Sequence, residues 1–182
     1  MKTLTLLRHA KSTWDDPVAR DFDRPLNRRG RRAAQTVGRE MRAQGIAFDR
    51  VIASPAVRVM ETLEGIADGY GNGLDPCFDK RIYLASPATL LEVVHEVADD
   101  ASALLLVGHN PGLESLALLL TREDGGALRA QIAVKYPTAT LAQISLPVEH
   151  WRDVAEGTGT IARFIRPRDI DPELGPDEDS HP

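Results

Sequence analysis

Short apolar runs alternate along this chain with longer segments in which apolar residues recur every three or four positions. Short runs of apolar or alternating residues are typical of strands in a sheet, and the longer spacing is typical of helices that bury one face. The most hydrophobic run, ALLLV, lies near the middle of the chain. The pattern predicts six strands, at residues 3–7, 50–53, 74–78, 103–107, 140–146 and 160–165.

Capping residues mark where the amphipathic segments begin. Asn27 precedes a segment with helical spacing, and its side chain suits the N-cap position. The pairs Ser54-Pro55, Ser86-Pro87 and Asn110-Pro111 each join a capping residue to a proline, which is favoured at the first helical position. We therefore predict that a helix begins at each of these four places.

Strands thus alternate with helices over most of the chain. This alternation is typical of a parallel sheet with helices on both of its faces. We predict an α/β fold, a single-domain, three-layer α/β/α sandwich with a mostly parallel sheet.

Composition supports one globular domain and excludes several classes of protein. The chain has 182 residues, of which 42% are hydrophobic. Cys77 is the one cysteine, which excludes an internal disulfide and favours a reducing, cytoplasmic location. No apolar run approaches the roughly 20 residues of a membrane helix, so we expect no association with a membrane.

The negative charge is concentrated at the C-terminal end. Residues 167–182 contain six acidic residues, one basic residue and four prolines, whereas the preceding 166 residues contain 21 basic and 21 acidic residues. We predict a folded domain over residues 1–166 and an acidic, disordered tail over residues 167–182. Because nucleic-acid binding depends on clustered basic charge, we expect no nucleic-acid partner.

Basic and imidazole side chains follow three of the predicted strands. Arg8 and His9 follow the first strand, Arg58 lies just beyond the second, and His109 follows the run at 103–107. Ligands of open α/β sheets bind beyond the carboxyl ends of the strands, so we expect these side chains to converge. Two arginines and two nearby helix N-termini favour an anion, and a phosphoryl group suits such a site best.

Other kinds of site fit the residues less well. A metal site would require carboxylates or a third imidazole in place of the arginines, whose charge opposes a cation, so we expect no metal and no cofactor. A serine hydrolase motif, G-x-S-x-G, does not occur, and Ser54 is interpreted as a helix cap. His95 and His150 are interpreted as structural histidines.

Four segments resemble motifs of the histidine phosphatase superfamily. They are LLRHAKS at 6–12, RPLNRRG at 24–30, ASPAVRVMET at 53–62 and GHNP at 108–111. The Arg-His-Ala form with a following Lys-Ser resembles the compact, SixA-type phosphohistidine phosphatases, which have a phosphoglycerate mutase-like fold. The resemblance extends over roughly residues 3–165.

The resemblance implies a role for each matching residue. His9 would attack phosphorus and form a phosphohistidine intermediate. Arg8, Arg24 and Arg58 would bind the phosphoryl oxygens, and a protonated His109 would donate to them. Two further residues are implied in substrate binding, Ser12 and Asn110. Two alternatives stay open: Ser12 would only close its loop, and Arg24 would be a loop arginine paired with Asp21 or Asp23. No metal is implied, because the arginines supply the positive field.

The segment expected to carry a carboxylic general acid departs from the family pattern. It reads FDKRIYL over residues 78–84, and the matching position falls near Arg81. Asp79 is the nearest carboxyl group, with Asp15 and Asp16 as further candidates. Imidazole leaving from phosphohistidine requires far less protonation than an alkoxide does.

We therefore expect a metal-independent phosphatase whose leading substrate is a phosphohistidine-bearing signalling protein. Two alternatives stay open at this point. One is a small-molecule phosphomonoesterase on the same scaffold, and the other is a non-catalytic module that binds phosphate.

Overall fold

A six-stranded sheet crosses the part of the chain that the computed structural model describes, which is residues 1–15, 17 and 20–175. The strands lie in the order β3-β2-β4-β1-β5-β6. Five of the six predicted strands are observed within two residues of their expected bounds, and the edge strand is shorter than predicted. The strands are β1 (Lys2–Arg8), β2 (Arg50–Ala53), β3 (Cys77–Phe78), β4 (Ala103–Gly108), β5 (Leu141–Leu146) and β6 (Thr160–Ile165).

Helices cover both faces of this sheet. Within the described residues they are α1 (Arg28–Ala43), α2 (Val57–Tyr70), α3 (Pro87–His95), α4 (Gly112–Leu120), α5 (Gly126–Val134) and α6 (Pro167–Ile170). One face packs against α1 and α2, with Val37 and Ile66 fully buried there. The other face packs against α3, α4 and α5, with Leu116 and Ile132 fully buried. This arrangement confirms the three-layer α/β/α sandwich.

Strand direction determines which residues meet at the carboxyl edge of the sheet. β3, β2, β4 and β1 pair in parallel, whereas β5 is antiparallel to both β1 and β6, so five strands share one direction. Arg8 at the end of β1 pairs with Gly108 at the end of β4. Ala53 at the end of β2 pairs with Val107. His9, Ser54 and His109 therefore follow three neighbouring strand ends.

Two of the four predicted helix starts are confirmed and two differ. The Asn27 side chain accepts from the Gly30 N–H, and the Ser86 side chain accepts from the Thr89 N–H, as N-caps do. The Ser54 prediction is wrong, because α2 begins at Val57 after Ala56. The Ser54 hydroxyl instead contacts His109.

The fourth start lies two residues beyond its predicted cap. α4 begins at Gly112, and the Asn110 side chain reaches the Glu114 N–H at 3.3 Å. The sequence did not predict α5, which begins at Gly126, directly after Gly125, without a capping side chain.

The predicted disordered tail differs from the structure over residues 167–175. Residues 167–170 form α6, and residues 172–174 form a 3₁₀ turn. Ile170 and Leu174 pack beside the core under α1, and Arg32 on α1 bonds to both Asp171 (2.6 Å) and Glu173 (2.7 Å). The rest of the predicted tail, residues 176–182, lies outside the described residues. In the portion that is described, no helix has the length and apolarity required to cross a membrane.

Candidate active site

The two histidines predicted to converge do so at the carboxyl edge of the sheet. The His9 N–H donates to the Gly108 carbonyl at 3.1 Å, which joins the end of β1 to the residue before His109. The two imidazole rings lie 5.3 Å apart, centroid to centroid. Both are recessed, with 8% of His9 and 3% of His109 exposed. One phosphoryl group can therefore approach both rings.

The contacts of His9 determine which ring nitrogen holds its proton. Nδ1 lies 2.7 Å from the carbonyl oxygen of Ala10, and a carbonyl only accepts, so Nδ1 is the protonated nitrogen. The lone pair of the neutral ring is then on Nε2. Burial, reinforced by the charges of Arg58 and Arg8, lowers the pKa of His9 to about 3. At neutral pH the ring is therefore uncharged, as a nucleophile must be.

His109 is held between a hydroxyl and a guanidinium group. Its Nδ1 lies 3.2 Å from Nη2 of Arg58, which can only donate, and its Nε2 lies 2.8 Å from Oγ of Ser54. The ring thus accepts from Arg58 and donates to Ser54. Burial and the charge of Arg58 lower the pKa of His109 to about 3. Without a bound anion the ring is therefore neutral at neutral pH, and the charge of a phosphoryl dianion would be required to raise that pKa.

Arg58 is held in place by the loop that contains Asp21. Only 2% of Arg58 is exposed. Its Nη1 donates to the Asp21 carbonyl at 2.7 Å, and its Nη2 donates to Oδ2 of Asp21 at 3.1 Å. One turn further along α2, the Thr62 hydroxyl donates to the Arg58 carbonyl and accepts from the Ala10 N–H at 2.9 Å. Thr62 therefore ties the helix that carries Arg58 to the loop that carries His9.

Arg24 joins the same cluster, as the resemblance implied. Its Nε donates to Oδ1 of Asp21 at 3.0 Å, and its Nη1 donates to the Ser12 hydroxyl at 2.7 Å. The exposed ring of Trp14 stacks on the guanidinium, whose Cζ lies 3.4 Å from the ring centroid. Ser12 and Arg24 are thus in contact, and an aromatic surface lies at the rim beside them.

Asp21 and Tyr83 were not predicted as site residues, although Asp21 was named as a possible partner of Arg24. Beyond Arg24 and Arg58, the Asp21 carboxylate accepts from the Tyr83 hydroxyl. Burial alone would raise the pKa of Asp21, but the Tyr83 and arginine contacts outweigh it and lower the pKa to about 2. Tyr83 also packs edge-on against His109, with centroids 5.3 Å apart. No motif position points to either residue, because Asp21 begins a short 3₁₀ turn (Asp21–Asp23) and Tyr83 directly follows another (Lys80–Ile82).

Arg8 and Asn110 share one acceptor. Nη1 of Arg8 donates to the Tyr136 carbonyl at 2.8 Å, and Nδ2 of Asn110 donates to the same oxygen at 3.2 Å and to Glu114 at 3.1 Å. Asn110 thus contacts the loop before β5 and the first turn of α4. Its observed contacts fit a residue that holds the His109 segment in position.

Two arginine nitrogens of the cluster are left without an acceptor. Nε of Arg8 and Nε of Arg58 are both buried and make no hydrogen bond within the described part of the chain. A buried donor without an acceptor costs roughly 1–3 kcal/mol, so such groups are rare away from functional sites. Their place beside two histidines is what an anion-binding site requires.

Asp79, the candidate general acid, bonds to Arg81 in the structure. Its carboxylate caps the 3₁₀ turn that follows, accepting from the Arg81 N–H at 2.9 Å and from the Arg81 guanidinium at 2.8 Å. The bond to Arg81 lowers the pKa of Asp79, which disfavours it as a proton donor at neutral pH. Of the two other candidates, Asp15 is exposed and Asp16 lies outside the described residues.

Comparison with known proteins identifies the class to which this arrangement belongs. A family model described as the histidine phosphatase superfamily, branch 1, matches residues 4–82. An uncharacterized protein of Mycobacterium tuberculosis strain H37Rv is 37% identical over 166 residues, which cover 89% of this chain and 100% of that protein. The chain belongs to the histidine phosphatase superfamily, and it is therefore a phosphatase by class.

Solved structures place it among the SixA-type members. A protein of Agrobacterium tumefaciens, provisionally described as the phosphohistidine phosphatase SixA, matches with a TM-score of 0.77 and 27% identity over 91% of this chain and 97% of that one. A protein histidine phosphatase SixA complexed with tungstate has the same fold, with a TM-score of 0.71 and 20% identity over 93% of this chain and 99% of that one.

Proposed function

We propose that the chain is a protein phosphohistidine phosphatase that acts through a phosphohistidine intermediate on His9. The observation that carries the substrate choice is the state of two carboxyl groups: Asp21, which bonds to two arginines of the site, and Asp79, the general-acid candidate of the sequence. Asp21 and Asp79 are both bound to arginines that lower their pKa, Asp21 to about 2. Neither carboxyl group holds a proton to give at neutral pH. The site therefore favours a leaving group that departs with little protonation.

The first half-reaction uses the neutral state of His9. Nε2 attacks phosphorus in line, and the bond between phosphorus and the substrate nitrogen breaks. The electron pair of that bond stays on the departing imidazole, which takes a proton from solvent. Arg8, Arg24 and Arg58 donate to the phosphoryl oxygens as the charge on them changes.

The second half-reaction restores the free chain. Water attacks phosphorus, the bond from phosphorus to Nε2 of His9 breaks, and inorganic phosphate leaves. His109 adjoins the same oxygens, and a bound phosphoryl dianion raises its pKa, so that the ring becomes a better donor when the charge is present. The three arginines supply the positive field that a magnesium ion supplies in other phosphoryl-transfer sites.

A substrate panel tests this proposal. The full chain is assayed in excess EDTA on a phosphohistidine protein, an aryl phosphate, phosphoserine and a sugar phosphate. General acid catalysis is worth roughly 10²–10⁴-fold, so we expect kcat/KM for phosphohistidine to exceed that for the alkyl phosphates by at least about 100-fold. Asp79→Asn is the matched variant and should leave the whole series unchanged.

Two results would contradict the proposal. The first is equal rates across the panel for the original chain, together with rates in Asp79→Asn that depend steeply on the leaving group. That result would identify Asp79 as a general acid and favour small alkyl phosphates. Loss of activity in EDTA that magnesium restores would contradict a metal-independent site.

A further inference from the structure

A basic pocket lies beside the site, and of its basic side chains only Arg8 takes part in the proposed reaction. It encloses about 240 Å³. Ligand pockets for whole small molecules are typically 300–1,000 Å³, so this one suits a group rather than a molecule. Among the described residues that line it there is no aspartate or glutamate. Its basic side chains are Arg8, Lys11, Arg29, Lys135, Arg166 and Arg168.

The topology of the sheet places this pocket at the same edge as the two histidines. β1 ends at Arg8, the antiparallel β5 begins just after Thr138, and β6 ends just before Arg166. Since β1, β5 and β6 are neighbours, these three segments meet at one edge. The histidines lie on the β4 side of β1, and the pocket lies on the β5 and β6 side.

Arg8 belongs to both places. It lines the pocket, and its charge also contributes to the lowered pKa of His9 and of His109. Its Nε is one of three buried side-chain polar atoms without a hydrogen-bond partner among the described residues. The pocket and the phosphoryl site are therefore adjoining parts of one binding surface.

Of the three acidic residues nearest in sequence, one bonds to a pocket arginine and two are directed away from the pocket. Asp169 bonds to Arg166 at 2.8 Å and offsets one of the positive charges. Asp171 and Glu173 both bond to Arg32, which does not line the pocket. Lys135 and Arg168 come from different elements and lie on the pocket wall. Clustered basic side chains around a recess of this size favour a phosphate or carboxylate group.

We propose that this pocket is a second anion subsite, which binds a carboxylate or phosphate group of the same substrate molecule whose phosphoryl group is transferred at His9. The proposal rests on the proposed function, since it assumes a phosphoryl group at His9. In a protein substrate, the second group is an aspartate or glutamate side chain that flanks the phosphohistidine. A substrate with one isolated phosphoryl group would leave the pocket without a partner.

A binding experiment tests the subsite without turnover. The full-length His9→Ala chain is titrated by calorimetry with orthophosphate and with tripolyphosphate at one fixed ionic strength. We expect the Kd for tripolyphosphate to be at least about tenfold lower than that for orthophosphate. In Lys135→Met/Arg168→Met, added to the same background, this difference should fall below about threefold, with the Kd for orthophosphate unchanged.

The matched control removes two basic charges from the opposite edge of the sheet. Arg122 follows α4, and Arg152 adjoins Trp151, whose indole donates to the Ala101 carbonyl before β4 begins. Arg122→Met/Arg152→Met should leave both Kd values within about twofold. An equal loss of affinity for both anions in the Lys135/Arg168 variant would show that these side chains only attract anions through their overall positive charge, and it would overturn the subsite.

Two further outcomes overturn the proposal. One is equal affinity for the two anions in the His9→Ala chain. The other is a second orthophosphate that binds independently of the first, because the pocket would then take a separate anion rather than part of the substrate. A chain that prefers tripolyphosphate as described, but fails to release phosphate from a phosphohistidine protein, would retain the subsite and lose the proposed function.

Discussion

At the scale of the residue, Asp21 is the carboxylate that connects the largest number of site side chains. It accepts from Arg24, Arg58 and Tyr83 with both of its oxygens. An amide at this position keeps one acceptor oxygen but adds an N–H₂ group, which opposes the guanidinium donors. We predict that Asp21→Asn lowers kcat/KM at least about tenfold, equivalent to about 1.4 kcal/mol of barrier.

Asp23 offers the matched control in the same 3₁₀ turn. It bonds to Arg20, whose side chain is largely exposed, and exposed ion pairs contribute little. Asp23→Asn should leave kcat/KM within about twofold of the original in the same steady-state assay. Equal rates for Asp21→Asn and the original chain would contradict a positioning role for Asp21.

The roles of single residues could be predicted only where a motif or strand end placed them. Arg8, His9, Arg58 and His109 follow regular strands or lie in the first turn of a helix, and the structure brings them together. Asp21 and Tyr83 meet although they are 62 positions apart in the sequence, and no local pattern encodes that contact. The protonation state of His109 depends on burial and on Arg58, which a linear sequence does not reveal.

At the scale of the element, α1 and α2 pack closely because glycines lie between them. A Cβ at Gly38 would come within 2.3 Å of the Ile66 carbonyl oxygen, and one at Gly69 within 2.1 Å of the Gln35 carbonyl oxygen. Overpacking of this kind typically costs 1–3 kcal/mol, against about 1 kcal/mol gained from helix propensity. The atom met at Gly38 is a backbone oxygen, which cannot rotate away, so the cost lies in the upper part of that range. We predict that Gly38→Ala lowers the free energy of unfolding by about 1–2 kcal/mol, measured by urea denaturation.

Gly73 is the control for that substitution, because a Cβ there would meet no heavy atom within 4 Å. Gly73→Ala should change the free energy of unfolding by less than about 0.5 kcal/mol. If both substitutions had the same small effect, the helices would be able to separate without cost, contrary to the packing described.

The C-terminal elements give a prediction that composition alone would not give. A chain that ends at Arg166 loses α6, the half-buried side chains of Ile170 and Leu174, and both bonds of Arg32. Full burial of such a side chain is worth roughly 1.5–3 kcal/mol, so we expect a loss of about 2 kcal/mol or more in the free energy of unfolding. The measurement is urea denaturation followed by circular dichroism.

The control for this truncation is a chain that ends at Gly175, which keeps all of these contacts and should retain the original stability. If the two truncated chains were equally stable, residues 167–175 would contribute nothing to the fold. Composition predicted a tail here because prolines and acidic residues dominate it. The packing of Ile170 and Leu174 under α1 is a tertiary contact, which cannot be predicted from composition.

At the scale of the whole molecule, the sequence predicted the position of the site but not the basic pocket beside it. Apolar runs and capping pairs were sufficient to place three strand ends at one edge, and the register of β1 with β4 confirms that edge. The direction of β5 was not predictable from its alternation, since parallel and antiparallel strands share that pattern. That direction brings the loop of Lys135 to the carboxyl edge and completes the wall of the basic pocket.

The proposed mechanism requires His9 to carry the phosphoryl group during turnover, and that group can be trapped on the protein. The full chain is mixed with a ³²P-labelled phosphohistidine protein, quenched within milliseconds, and digested to locate the label. We predict an acid-labile, base-stable label on His9, and none on a folded His9→Ala chain. Label on another residue, or turnover at full rate by His9→Ala, would contradict the proposed role of His9.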